Sequence, residues 1–183
     1  LSLHDALPIY AVEHHLCHLA SAFMVSPYDK AVAVSVDGFG DFSSAAWGLG
    51  EGIKLEVEGR VYFPHSLGVF YEAMTQFIGF PYYGDEYKVM GLAPYGQPTH
   101  VDAIRQLLRL EPRGGFRLNL EFFRHWTGEI AMDWSSGEPT IADVYTPRLI
   151  DLLGPERMPG SPVEAYHENL AASVQRVFEE AAF

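Results

Sequence analysis

The 183-residue sequence predicts an α/β fold, an antiparallel strand meander flanked by helices, and three observations lead there. The run AVAVSV (31–36) is apolar and rich in β-branched residues, as expected of a strand buried on both faces. Two more strand-like stretches, FSSAAWGLG (42–50) and IKLEVEGRVYF (53–63), follow after tight turns, so the three pair in sequence order. Apolar residues at helical spacing then precede and follow this block.

Taken in order, LSLHDALPI (1–9) joins abruptly to a well-patterned segment and reads as a non-native leader outside the fold. Residues from about 12 to 25 form a short helix closed by Ser26-Pro27. DGFGD (37–41) turns the chain between the first two strands. After Pro64, the residues Leu67, Phe70, Tyr71, Met74, Phe77 and Ile78 recur at helical spacing behind Ser66, a favourable N-cap. GFPYYGDEYKVMGLAPYGQP (79–98) is interrupted by glycines, prolines and tyrosines and reads as a loop. A helix begins near Thr99, with Asp102 at the capping-box position. Residues 111–160 read as an irregular insertion. Ser161, Pro162 and Glu164 then supply an N-cap, a first-turn proline and a capping acid for a final helix carrying Tyr166, Leu170, Val174, Val177 and Phe178. That helix reaches Phe183 without a stop signal, so the domain is read as incomplete.

Composition narrows the function classes. Hydrophobic residues make up 48% and charged residues 20%, the balance of a globular chain with a core. The net charge is −12, and both halves of the chain share the imbalance. Such a field repels phosphate backbones and argues against nucleic-acid binding. The lone Cys17 excludes an internal disulfide framework and reads as a small buried thiol in the first helix. No apolar run approaches the roughly 20 residues that span a bilayer. The expectation is a cytoplasmic protein with neither nucleic-acid nor membrane partners.

Four groups of residues could carry chemistry. His14 and His18 are four apart, which on a helix places both imidazoles on one face about 6 Å apart. Asp37 ends the apolar strand, where its carboxylate can leave the sheet edge, and two imidazoles with one carboxylate suit iron or zinc. His15 points about 100° away and stands outside the pair. A bare H-x₃-H also arises between core histidines, so spacing alone leaves the pair open. Gly38 and Gly40 would let backbone N–H groups approach an anion, though a hairpin turn uses the same glycines. Lys88 could hold a phosphate or carbamoyl oxygen, or simply pair with Asp85 or Glu86. His65, before Ser66, could face a ligand at a helix N-terminus or serve as a satisfied capping residue.

Together, EHHLCHLASAF (13–23), SVDGFGDFSS (35–44), PHSLGVFYEAMTQFIGF (64–80) and EYKVMGLAPYG (86–96) resemble the O-carbamoyltransferases, a family that includes nodulation and antibiotic-tailoring enzymes. The resemblance covers residues 10–110 and, more loosely, the terminal helix. Asp41 stands where many members carry Glu, and Leu19 replaces a common alanine. The resemblance implies an actin-like ATPase (ribonuclease H-like) fold, of which residues 10–183 would be the N-terminal portion. A carbamoyladenylate-forming domain would follow beyond the sequence. It also implies a reaction: carbamoyl phosphate and ATP give carbamoyladenylate, and the carbamoyl group passes to the hydroxyl of a small-molecule acceptor. Carried over position by position, His14, His18 and Asp37 would bind a divalent metal, with iron placed before zinc or magnesium. Gly38, Gly40, Glu86, Lys88 and Gly91 would lie near the nucleotide or carbamoyl donor. The acceptor hydroxyl needs a base, a role the resemblance gives to no residue here. Two other readings share these residues: an actin-like ATPase or kinase relative, and a non-enzymatic metal-binding module.

Overall fold

A computed structural model describes residues 10–183 apart from 113, 129 and 136; the proposed leader at 1–9 lies outside the described residues. Helix α1 (His14–Phe23) leads into three antiparallel strands, β1 (Lys30–Gly40), β2 (Ser43–Glu51) and β3 (Lys54–Tyr62), with sheet order β1-β2-β3. The expected meander is present, with β2 as its central and most buried strand. Its outer strand differs from the expectation. On β1 the residues Ala33 and Ser35 are buried under α1, whereas Val32, Val34 and Val36 are exposed. The opposite face of the sheet is covered over β2 and β3, where Ala45 and Val61 join the main core, but is left open along these valines. A continuous apolar run therefore reads as two-sided burial while the period-2 pleat presents every second valine to solvent.

DGFGD is not simply a turn. β1 continues through Gly40, and the turn proper is Asp41-Phe42, both at positive φ (50° and 65°). Between the pairs Val36↔Ala45 and Gly40↔Ser43, three residues of β1 face only Ser44 of β2. This bulge frees Asp37 from the ladder, the usual effect of extra residues beside a site.

Helix α2 (Leu67–Phe77) is capped by Ser66, whose Oγ accepts from Val69 N at 3.1 Å. Segment 79–98 contains helix α3 (Glu86–Leu92) and a 3₁₀ turn (Ala93–Tyr95), so Glu86, Lys88 and Gly91 lie on a helix rather than a loop. Burial of Val89 and Ala93 outweighs the interruptions that obscured it. Helix α4 is short (Val101–Ile104) and starts two residues after Thr99. The segment 111–160 is irregular but no mere insertion. A hairpin, β4 (Leu108–Leu110) with β5 (Phe116–Leu118), a two-residue pair, β6 (Met132–Asp133) with β7 (Thr140–Ile141), and α5 (Pro147–Leu153) punctuate it. Phe116, Leu118, Phe123, Val144 and Leu149 join the main core with α2 and α6 (Ala165–Ala182). Helix α6 starts later than expected: Glu164 is its N-cap, and the Glu164 backbone N–H donates to His167 Nδ1 at 3.0 Å, leaving Ser161-Pro162 outside. No helix among the described residues is long and apolar enough to cross a membrane.

Candidate metal centre

The face of α1 that packs on the sheet is His15, Leu19 and Phe23, four residues apart, and a small apolar cluster with Ala33 and Ala46 holds it there. His15 is fully buried, with Nδ1 2.9 Å from Ser35 Oγ, so it is turned away from the neighbouring pair as its angular position requires. Cys17 falls on the opposite side and is exposed, which corrects the expectation of a buried thiol. His14 and His18 emerge along the edge between these faces.

Asp37 meets them there. Its Oδ2 lies 2.8 Å from His14 Nε2 and 3.2 Å from His18 Nε2, and the two Nε2 atoms are 3.0 Å apart. This trio is the one group among the described residues with three potential metal ligands mutually within 4.8 Å. Its chemistry fits a cation. If both imidazoles donate to Asp37, two N–H groups confront each other at 3.0 Å, a conflict that a shared positive ion removes. Ligands about 2.1 Å from one ion at angles between 90° and tetrahedral stand roughly 3.0–3.4 Å apart, close to the spacing here. Two nitrogens and one oxygen suit iron or zinc better than calcium.

The surroundings fix the trio. Glu13 caps α1, its carboxylate accepting from His15 N at 3.1 Å and Leu16 N at 2.7 Å, and Arg60 from β3 holds it at 3.2 Å. Asp41 accepts from His14 N at 2.9 Å. Gly40 lies under the His14 ring; a Cβ there would stand 2.1 Å from Cδ2, so only glycine lets the imidazole approach. Gly38 N donates to Asp37 Oδ1 at 2.7 Å. Partial burial pushes the Asp37 carboxyl up, but hydrogen bonds from His14, Gly38 and His18 outweigh it and hold the group below its usual range. Ser66 ties α2 to the bulge, its Oγ donating to Gly38 O at 2.8 Å, and Gly68 allows the helix to touch Gly38 closely. Ser66 was legible as a cap of α2 but not as a tie to the bulge, and neither Ser35 nor the Arg60 contact of Glu13 left a signal, since these contacts run between elements.

The other expected residues lie elsewhere. Glu86, Lys88 and Gly91 sit on α3, which packs on α2 and α6 rather than on α1. Lys88 pairs with Asp85 Oδ1 at 2.7 Å, and that hydrogen bond pushes its ammonium up. His65 Nδ1 accepts from Leu118 N at 3.2 Å, the satisfied alternative; burial and then Arg117 push its imidazole down.

A family model described as carbamoyltransferase N-terminus matches residues 2–182. An uncharacterized protein of Synechocystis sp. is 39% identical over 178 residues, covering 96% of this chain and 27% of its own length. Nodulation protein NolNO of Sinorhizobium fredii is 35% identical over 182 residues, 98% of this chain and 23% of its own. Nodulation protein NolO of Bradyrhizobium diazoefficiens is 31% identical over 175 residues, 94% of this chain and 27% of its own. The chain thus spans about a quarter of the length of these relatives.

Proposed function

The chain belongs to the carbamoyltransferase N-terminus family, and on that premise we propose that it forms part of a metal-dependent O-carbamoyltransferase. The transferred group comes from carbamoyladenylate, made from carbamoyl phosphate and ATP, and goes to the hydroxyl of a small-molecule acceptor. The observation that carries this reading is the convergence of His14, His18 and Asp37 in a chain of this family. His14, His18 and Asp37 would hold a divalent ion, which would supply Lewis-acid stabilisation of charge developing on the donor's oxygens. The chain's own residues provide the rest. Asp37 is kept ionised by its donors and so remains a ligand down to acidic pH. Glu13 and Asp41 fix the first turn of α1, which fixes both imidazoles. Lys88, carried on α3, offers a positive charge for the donor in an otherwise acidic protein.

We assign the three-stranded meander and its helices to the opening part of an actin-like domain. The relatives are about four times as long as the chain, and turnover on this reading also requires the further part of that domain and the adenylate-forming domain that the resemblance implies. The test is carbamoyl transfer from radiolabelled carbamoyl phosphate with ATP, using the polypeptide of the complete reading frame. Transfer should depend on added divalent metal, and His14→Ala should reduce it more than about 100-fold, beyond what outer-shell changes cost. ATP turnover without carbamoyl phosphate would favour the ATPase or kinase reading instead. Metal binding with no nucleotide effect would favour a binding module.

A further inference from the structure

Glu72, on α2, is only 6% exposed, and both its carboxylate oxygens are buried without any N–H or O–H donor among the described residues. An ionised carboxylate in that condition is among the costliest arrangements in a protein. Its neighbour is another acid: the Glu86 carboxyl, at the start of α3, lies within hydrogen-bonding reach. Two ionised carboxylates accept only, so this contact is repulsive unless one of them carries a proton.

The charged groups around the pair identify the compensator. From α3 and its cap come Asp85, Glu86 and Lys88, and Asp85 adds to the negative field at Glu72. Lys88 is already engaged, 2.7 Å from Asp85 Oδ1 and 5.7–5.8 Å from the ring centres of Phe80, Tyr82 and Tyr87, with Glu138 also facing it. From α6, Glu179 faces Tyr71, whose hydroxyl donates to Gln175 Oε1 at 2.8 Å. From β1, Asp37 is engaged by the histidines and meets α2 through Ser66 at the helix start. Among the described residues these engagements leave a proton as the compensator, and it belongs on the more buried partner.

We propose that Glu72 is a protonated carboxyl that donates to Glu86 and so locks α3 onto α2, making it a positioning residue for Lys88. Burial first, then Glu86 and Asp85, push the Glu72 carboxyl up to about 9, in agreement with that geometry. The lock stands on the buried pair itself; its effect on the reaction rests on the reading that Lys88 contacts the donor.

Carboxyl ¹³C NMR titration of the chain and of its Glu72→Gln variant tests the lock. One carboxyl should titrate near pH 9 and vanish from the spectrum of Glu72→Gln, which preserves a donor in place of the acid. Titration of every carboxyl below about pH 6 overturns the proposal. So does a high-pH carboxyl that survives the substitution. A second arm measures MgATP affinity in the complete reading frame. Glu72→Gln should keep wild-type affinity and remove its decline above pH 9, while Glu72→Ala should weaken binding about tenfold. Should Lys88→Ala leave MgATP affinity unchanged while the pH 9 titration is present, the donor reading of Lys88 fails and the lock stands.

Discussion

At the scale of single residues, the chemistry depends on protons being where the geometry needs them. Asp37 is held ionised by donors on either side, whereas Glu72 has none and is held neutral. The second case has a measurable consequence. The Glu72 carboxyl binds its proton in the folded chain up to about pH 9 and in the unfolded chain only below about 4.5. Between those values folding takes up a proton, so this group's contribution is full below the unfolded pKa and is lost as pH rises toward the folded one. Melting curves of wild type and Glu72→Gln should therefore coincide most nearly at pH 4–5. The variant should then gain, by at most about 1.4 kcal/mol per pH unit, up to pH 9. Carboxyls that shift the other way, such as Asp37 and Glu13, are common to both proteins and cancel. A difference independent of pH would show that Glu72 ionises normally. The His14 and His18 pair was legible in the sequence because an interval of four residues guarantees a shared helix face. Glu72 was not, because its neighbour Glu86 comes from another helix.

At the scale of elements, the decisive device is the bulge that ends β1. Glycines at 38 and 40 read as turn residues, and the physical distinction between a turn and a bulge lies in what the partner strand does, which one strand's sequence does not reveal. Helix α2 supports the bulge through one side chain, since Ser66 both caps the helix at Val69 and donates to Gly38 O. Ser66→Ala should cost about 1 kcal/mol in a urea melt through the lost cap. It should also weaken metal binding severalfold, because the bulge carrying Asp37 loses its tie. Lost stability with unaltered metal affinity would show that the bulge holds itself. The helix at 86–92 was hidden for a different reason. Its burial comes from Val89, with Ala93 of the following 3₁₀ turn, in the core shared with α2 and α6, while the exposed Tyr87 and nearby glycines broke the periodic pattern.

At the scale of the whole molecule, two apolar clusters divide the labour. The larger joins α2, α3, α5, α6 and the hairpin β4–β5, and the smaller fastens α1 to the sheet. The meander and the principal helices were legible because period and turn chemistry are local. The share of 111–160 in the core was not, because Phe116, Phe123 and Leu149 bury without any repeating spacing. The acidic balance takes on a different meaning once the trio is placed. A chain of net charge −12 brings two imidazoles and a carboxylate to one point, where a bound cation gives a local reversal of sign. The most direct measurement is the metal content of the polypeptide of the complete reading frame after equilibration with Fe(II), and separately with Zn(II), followed by removal of free ion. About one ion per chain, falling to background in His14→Ala and in Asp37→Asn with the fold intact by circular dichroism, is the predicted result. Failure of the wild type to retain metal, or equal retention by both variants, would contradict the centre.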